Sequence, residues 1–137
     1  MGARTKARKR ALDLLFEAEQ RGVNAVTLLD ERVAAPVTPA PLPPYTGELV
    51  RGVVQHWTAI NEALTTYAKD WPLDRMPSVD RNLLRLSAFE LIYNDEVPDK
   101  VAISEAVGLA TELSTDESPK FINGLLNRLA EVKDTLV

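Results

Sequence analysis

The 137-residue sequence contains no cysteine and only one histidine, His56. The missing thiols exclude a disulfide framework, a thiolate nucleophile, a thiolate zinc site and an iron–sulfur cluster. A single imidazole leaves no partner for a two-histidine metal site or a proton relay, and we interpret His56 as a polar residue at a helix surface or junction. We therefore expect no metal, no cofactor and no catalytic residue, and the composition argues against an enzyme.

Glycine clusters and long apolar runs are missing as well. The six glycines are isolated from one another, so the sequence has no loop of the kind that cradles a nucleotide phosphate. The uninterrupted apolar stretches are a few residues long, whereas about 20 apolar residues are needed to cross a bilayer. The basic start is followed by acidic residues rather than by an apolar segment, unlike a secretory signal. These absences predict a cytoplasmic protein with no membrane contact.

The apolar residues recur at steps of three and four, which places them on one face of a helix. This spacing predicts a first helix over residues 5–21 and a second from Asn24, as N-cap, to Val33. Residues 36–44 hold five of the nine prolines and predict an extended connector, because proline interrupts helices and central strands alike. We expect the connector to lie within one domain that spans residues 1–137.

Further helices follow the connector. Residues 49–71 keep helical spacing and form either one long helix or two with a bend, with Thr58 as a candidate cap of the second. A central helix is predicted over residues 78–94, with Ser78 as N-cap, and another helix over residues 101–113.

The last predicted helix begins with Ser118 as N-cap and Pro119 at the first helical position. The whole chain then contains about seven helices and no convincing strand. This pattern predicts an all-α fold, a compact bundle of helices.

Basic residues are concentrated at the start of the chain. The first ten residues carry +5, whereas residues 11–137 carry −9 and the total is −4. A basic segment of this kind fits either a polyanion-binding arm or a solvated, frayed terminus. The cations of this arm, residues 1–10, are Arg4, Lys6, Arg8, Lys9 and Arg10.

Two aromatic residues lie near basic ones. Phe16 follows Lys9 by two turns of the first predicted helix, and Phe121 follows Lys120 at the start of the last. Single-stranded RNA is bound by stacking its bases on aromatic rings while cations contact its phosphates. The spacing therefore favours RNA as the ligand. The alternative interpretation of either phenylalanine is that its ring is part of the hydrophobic core.

Five segments, spread in order over nearly the whole chain, carry a resemblance to a known family. They are RTKARKRALDLLFEAEQ, LVRGVVQHWTAINEAL, DRNLLRLSAFELIY, VPDKVAISEAVGLATELS and ESPKFINGLLNRLAE. Together they resemble the NusB family of bacterial transcription antitermination and termination factors. The resemblance implies an all-helical protein that binds the boxA element of ribosomal RNA leader transcripts with NusE, a small-subunit ribosomal protein. The complex would help the RNA polymerase elongation complex resist termination and so support ribosomal RNA synthesis.

The resemblance also implies roles for individual residues. The basic run that would meet RNA phosphates consists of Arg4, Lys6, Arg8, Lys9 and Arg10. Positions that the family places at or beside the RNA are Phe16, Glu117, Lys120 and Phe121. An acidic position that the family uses toward NusE is matched by Asp80, and its neighbours Arg81, Arg85 and Glu90 are expected to be structural.

The sequence departs from the family in its proline-rich connector and in Thr5, which interrupts the basic run. Some members of the family form homodimers, and the sequence leaves open whether this chain does.

Two other functions remain as alternatives. One is a relative of the helical domain that precedes ribosomal RNA methyltransferases, although 137 residues leave no room for a cofactor-binding domain. The other is a helical adaptor that binds only protein.

Overall fold

The computed structural model describes residues 2–136, so Met1 and Val137, the ends of the predicted domain, lie outside the described residues. Seven α-helices and two short 3-10 helices, Leu73–Arg75 and Lys133–Thr135, form this part of the chain, which contains no strand. The predicted all-α class is confirmed. The α-helices are α1 (Ala3–Arg21), α2 (Ala25–Ala34), α3 (Pro44–Gln55), α4 (Trp57–Tyr67), α5 (Ser78–Tyr93), α6 (Asp99–Leu113) and α7 (Ser118–Val132).

The boundary between α1 and α2 follows from two local signals. Gly22 ends α1 in the left-handed conformation, with φ of 66°, which glycine adopts without steric cost. The side chain of Asn24 accepts hydrogen bonds from the backbone N–H groups of Val26 and Thr27 and so caps α2. The predicted end of the first helix and the predicted cap of the second are confirmed.

The predicted N-caps of the two later helices are wrong by one residue. Ser78 and Ser118 are the first helical residues of α5 and α7, and Pro119 is the second residue of α7. Neither serine hydroxyl bonds to the backbone of its own helix, because each has a partner from elsewhere in the chain. Ser78 Oγ donates to Glu19 at 2.6 Å, and Ser118 Oγ donates to Asp80 at 2.7 Å.

Residues 44–67 form two helices with a bend, so the second of the two predicted alternatives is confirmed. The bend lies at His56, which has φ of −106° and ψ of 23°, and α4 begins at Trp57. Thr58 is therefore not the cap. The His56 ring stacks on Tyr93, with centroids 3.7 Å apart, which confirms a junction role for the only histidine. Residues 36–43 are non-helical, as predicted, whereas Pro44 is the first residue of α3.

Helix α5 occupies the centre of the bundle and packs against α1, α3, α4, α6 and α7. Leu83, Leu84 and Leu86 are almost completely buried, so several faces of this helix lie in the core. Two ion pairs join α1 to α5: Arg8 near the start of α1 pairs with Glu90 near the end of α5, and Glu19 near the end of α1 pairs with Arg81 near the start of α5. The two helices are therefore antiparallel. The start of α1 therefore lies beside the end of α5.

Candidate nucleic-acid interface

The basic arm belongs to α1, which begins at Ala3, and is not a loose tail. The structure separates its five cations by exposure. Arg4 and Lys6 are exposed, Lys9 and Arg10 are half-buried, and Arg8 is 3% exposed. The chemical environment of each side chain decides which of them is able to meet a phosphate.

Arg8 is directed into the bundle. Its Nε donates to both oxygens of Glu90, at 2.9 and 3.0 Å, and its Nη1 donates to Glu105 at 2.7 Å. Burial disfavours the charged guanidinium, but the hydrogen bonds and the charge of Glu90 outweigh it, so the pKa of Arg8 is raised. In this structure Arg8 joins α1 to α5 and α6 and does not face solvent, which differs from the predicted phosphate contact.

The other four cations remain near the surface. Lys9 Nζ donates to Glu112 at 2.8 Å, and this hydrogen bond raises the pKa of Lys9. The pair is exposed, so replacing Glu112 by an RNA phosphate as the partner of Lys9 costs little free energy. Within residues 2–136, Arg4, Lys6 and Arg10 have no carboxylate within 4 Å. These three are the cations of the arm that form no ion pair in the described part of the chain.

Phe16 continues a row of residues along one face of α1. Thr5 and Lys9 on this row contact Glu105 and Glu112 of α6, which shows that the row faces α6. Phe16 is one turn beyond Leu12 on the same face, and its side chain is half-buried. At a rise of about 1.5 Å per residue, Phe16 lies about 18 Å along α1 from Arg4. Cations and an aromatic ring therefore follow each other along one helix.

The start of α7 carries the remaining residues that were predicted to border the RNA. Lys120 lies in the first turn of α7 and Glu117 just before it, and both side chains are exposed. Phe121 is half-buried and its ring meets the edge of Trp71, with centroids 5.0 Å apart and an interplanar angle of 75°. Phe121 also packs against the core, so its ring has a structural function whatever else it contacts.

Asp80, the residue predicted to contact NusE, is completely buried at the start of α5. Its carboxylate accepts hydrogen bonds from the hydroxyls of Ser114 and Ser118, the latter at 2.7 Å. Asp80 therefore connects α5 to the segment where α6 ends and α7 begins. A carboxylate in this position supports the surface at the start of α7 but is not part of it.

Two of the neighbours of Asp80 that were expected to be structural bind a half-buried carboxylate. Arg81 and Arg85 both donate to Glu19 of α1, Arg85 Nη1 at 2.7 Å. Hydrogen bonds from Arg81, then Ser78 and Arg85, lower the pKa of Glu19 to about 2, against the opposing effect of burial. This cluster fixes the end of α1 against the start of α5.

Sequence reasoning missed three residues that hold the arm: Tyr45, Glu105 and the role of Glu90 as a partner of Arg8. Tyr45, at the start of α3, donates its hydroxyl to Glu90, and the guanidinium carbon of Arg4 lies 4.4 Å from the centre of its ring. These contacts join positions that are 40 or more residues apart. Helical spacing carries no information about such pairs.

The cations of the basic arm are thus displayed along α1, apart from the buried Arg8. Among residues 2–136, no group of three or more histidine and acidic side chains is arranged to hold a metal ion. None of the helices within that range has the length and apolar character needed to cross a membrane.

The family model of the NusB family matches residues 5–131 of this chain. The chain belongs to the NusB family. The family predicted from the sequence segments is therefore confirmed. The transcription antitermination protein NusB of Arthrobacter sp. (strain FB24) is 58% identical over 137 residues, which cover 100% of this chain and 99% of the relative.

Solved structures of the NusB family have the same fold. Thermotoga maritima NusB superposes with a TM-score of 0.82 at 30% identity, covering 95% of this chain and 92% of that one. NusB in a crystal structure of the antitermination factors NusB and NusE with double-stranded RNA gives a TM-score of 0.80 at 27% identity. That comparison covers 94% of this chain and 96% of the other.

Proposed function

We propose that this protein is an RNA-binding transcription antitermination factor that acts by binding and not by catalysis. It binds the boxA element of ribosomal RNA leader transcripts in the cytoplasm, together with NusE, and residues 1–137 act as one RNA-binding domain. The observation that supports the proposal is the set of three cations, Arg4, Lys6 and Arg10, that form no ion pair within residues 2–136 and lie on one helix of a NusB-family fold. A relative with 58% identity is a transcription antitermination protein, and a related NusB was crystallised with NusE and RNA.

The RNA backbone follows the start of α1. Arg4, Lys6 and Arg10 contact phosphates, and Lys9 joins them by exchanging Glu112 for a phosphate. Phe16, about 18 Å further along the helix, stacks on an unpaired base. Cation contacts provide affinity that is independent of sequence, whereas stacking and base-edge contacts provide the discrimination.

The start of α7 forms the second part of the RNA surface. Lys120 is exposed and contacts a phosphate, and Glu117 beside it accepts a hydrogen bond from a base amino group or disfavours a misplaced phosphate. Phe121 supports this turn through Trp71 and presents its exposed part to the RNA. Residues 11–137 carry −9, so the rest of the surface repels RNA and confines it to these two segments.

NusE, as a ribosomal protein that binds RNA, is attracted to the acidic body of this chain. Asp80 contributes to that contact indirectly, because its bonds to Ser114 and Ser118 hold the start of α7 in place. The assembled complex of this protein, NusE and boxA RNA then binds the RNA polymerase elongation complex.

A titration of fluorescently labelled boxA leader RNA with this protein, alone and with NusE, tests the proposal. We expect saturable binding that becomes tighter with NusE, and weaker binding to RNA with a scrambled boxA. Equal binding to both RNAs would contradict boxA recognition. NusE binding without any RNA binding would instead support the adaptor alternative. Sedimentation in the same buffers gives the mass of each complex and decides between monomer and homodimer.

A further inference from the structure

The first turn of α1 is electrostatically unfavourable as an isolated segment. Its N-cap is Gly2, which provides no side-chain cap, and no acidic residue lies in the first turn. Arg4 and Lys6 instead place positive charge at the positive end of the helix dipole. Arg4 and Arg8, and likewise Lys6 and Arg10, are like charges four residues apart. Such a turn frays unless tertiary contacts hold it.

The structure shows which contacts hold this turn. The hydroxyl of Thr5 donates to Glu105, and Arg8 donates to Glu90 and Glu105. Arg4, the first cation, has no carboxylate partner among the described residues and lies over the Tyr45 ring instead, with its guanidinium carbon 4.4 Å from the ring centre. That distance is within the range of a cation–π interaction.

Tyr45 is itself held rigidly. It is only 8% exposed. Its hydroxyl donates a hydrogen bond to Glu90 and accepts one from Asn94 Nδ2 at 3.1 Å. The same ring lies 5.8 Å from the guanidinium carbon of Arg8. One aromatic side chain from α3 therefore connects the exposed cation at position 4 to the buried ion pair below it.

An aromatic partner and a carboxylate partner differ in how much positive charge the paired cation still presents at the surface. Lys9 is paired with Glu112, so its charge is neutralised until a phosphate displaces that carboxylate. The Tyr45 ring orients Arg4 through its face and carries no net charge, so Arg4 keeps its full charge toward an incoming polyanion. The arrangement lowers the conformational entropy lost on binding without removing the charge that binds.

We propose that Tyr45 is a positioning residue for RNA binding, which holds Arg4 and the first turn of α1 in place through its ring. The inference rests on the proposed function of RNA binding and assigns to it a residue that does not itself contact RNA.

A double-mutant cycle tests the inference, with Tyr45→Leu, Arg4→Ala and the double variant compared by titration of the same labelled RNA. If Tyr45 acts through Arg4, Tyr45→Leu weakens RNA binding by about two- to fivefold, the size of an exposed cation–π interaction. The double variant then binds as weakly as Arg4→Ala alone. The positioning role would be overturned if Tyr45→Leu lowered the RNA affinity of the Arg4→Ala variant by the same factor as it lowers that of the wild type.

Tyr45→Phe is the matched control, because it keeps the ring and removes only the hydroxyl that bonds to Glu90. It is expected to bind RNA within twofold of the wild type even if it unfolds at a lower temperature. A loss as large as that of Tyr45→Leu would show that the ring contact with Arg4 is irrelevant.

The contact is also measured without RNA. The side-chain NMR signals of Arg4 are expected to be shifted upfield by the Tyr45 ring in the wild type and in Tyr45→Phe, and to return to ordinary values in Tyr45→Leu. Ordinary Arg4 shifts in the wild type would overturn the inference directly. Absence of RNA binding by the wild type would overturn the proposed function, whereas shifted Arg4 signals in that case would still establish the contact.

Discussion

The Nε atom of Arg8 donates to both carboxylate oxygens of Glu90, at 2.9 and 3.0 Å, although the two residues are 82 positions apart in the chain. Both side chains are almost completely buried. One of the five cations of the basic arm is thus used to attach the arm to the bundle. The four that remain are displayed on a helix whose position that ion pair fixes.

Removing Arg8 tests this anchoring role. Arg8→Met leaves Glu90 and Glu105 without their main cationic partner, and breaking a buried ion pair on one side costs about 3–5 kcal/mol of unfolding free energy. Lys6→Ala, at an exposed position, is the control and is expected to change the unfolding free energy by less than about 0.5 kcal/mol. Urea unfolding measures both. Equal stabilities of the two variants would contradict an anchoring function of Arg8.

The low pKa of Glu19 makes part of the stability dependent on pH. Its carboxylate has a pKa of about 2 in the folded protein and a value of 4.5 without its partners, chiefly because Arg81 donates to it. A depressed folded-state pKa stabilises the protein above pH 4.5, and this stabilisation is lost as the pH falls toward 2.

Glu19→Gln therefore lowers the unfolding free energy by about 3 kcal/mol at pH 7, and the difference from the wild type shrinks between pH 5 and pH 2. Thermal unfolding across this pH range measures both profiles. A Glu19→Gln difference that is constant with pH would contradict the assignment.

Two glycines with opposite surroundings test the packing of the helices. A Cβ atom at Gly52 of α3 would lie 2.2 Å from the Phe89 ring, so Gly52→Ala forces that ring to move and is expected to cost about 1–3 kcal/mol. Gly108 of α6 has open space around a Cβ, so Gly108→Ala is expected to stabilise the protein by up to about 1 kcal/mol. Chemical unfolding distinguishes them. The same sign for both variants would contradict the described packing of α3 on α5.

The buried Asp80 is predicted to affect NusE binding through the start of α7. Asp80→Ala removes the acceptor of Ser114 and Ser118 and is expected to cost about 1–3 kcal/mol of stability and to weaken NusE binding. Ser118→Ala breaks one of the same bonds from the other side and is expected to change both quantities in the same direction. Calorimetry with NusE compares them. If Ser118→Ala leaves NusE binding intact while Asp80→Ala abolishes it, Asp80 contacts NusE directly.

The parts of the fold that the sequence predicts correctly depend on local chemistry. The end of α1 at Gly22 and the cap of α2 at Asn24 involve only neighbouring residues, so the pattern and the structure agree. Ser78 and Ser118 are polar residues at helix starts that would cap equally well by sequence. Their hydroxyls bond instead to Glu19 and Asp80, and those partners are determined by how the helices pack.

The same distinction applies to the candidate site. Counting charges locates the basic arm correctly but treats its five cations as equivalent. The structure buries Arg8 against Glu90, pairs Lys9 with Glu112 and places Arg4 over Tyr45. Each of these partners belongs to another helix and was brought near by tertiary packing. The number of cations available to RNA therefore follows from the fold and not from composition.

The salt dependence of RNA binding tests this account most directly. Each phosphate contact to a single strand contributes about −0.7 to the slope of log affinity on log salt, so the contacts proposed for Arg4, Lys6, Lys9, Arg10 and Lys120 together give about −3.5, of which Arg4, Lys6 and Arg10 account for about −2. We predict a wild-type slope near −3.5 that flattens to about −1.4 when Arg4, Lys6 and Arg10 are all replaced by alanine, because Lys9 and Lys120 keep their phosphate contacts. A triple variant that keeps the wild-type slope and affinity would contradict the proposed interface.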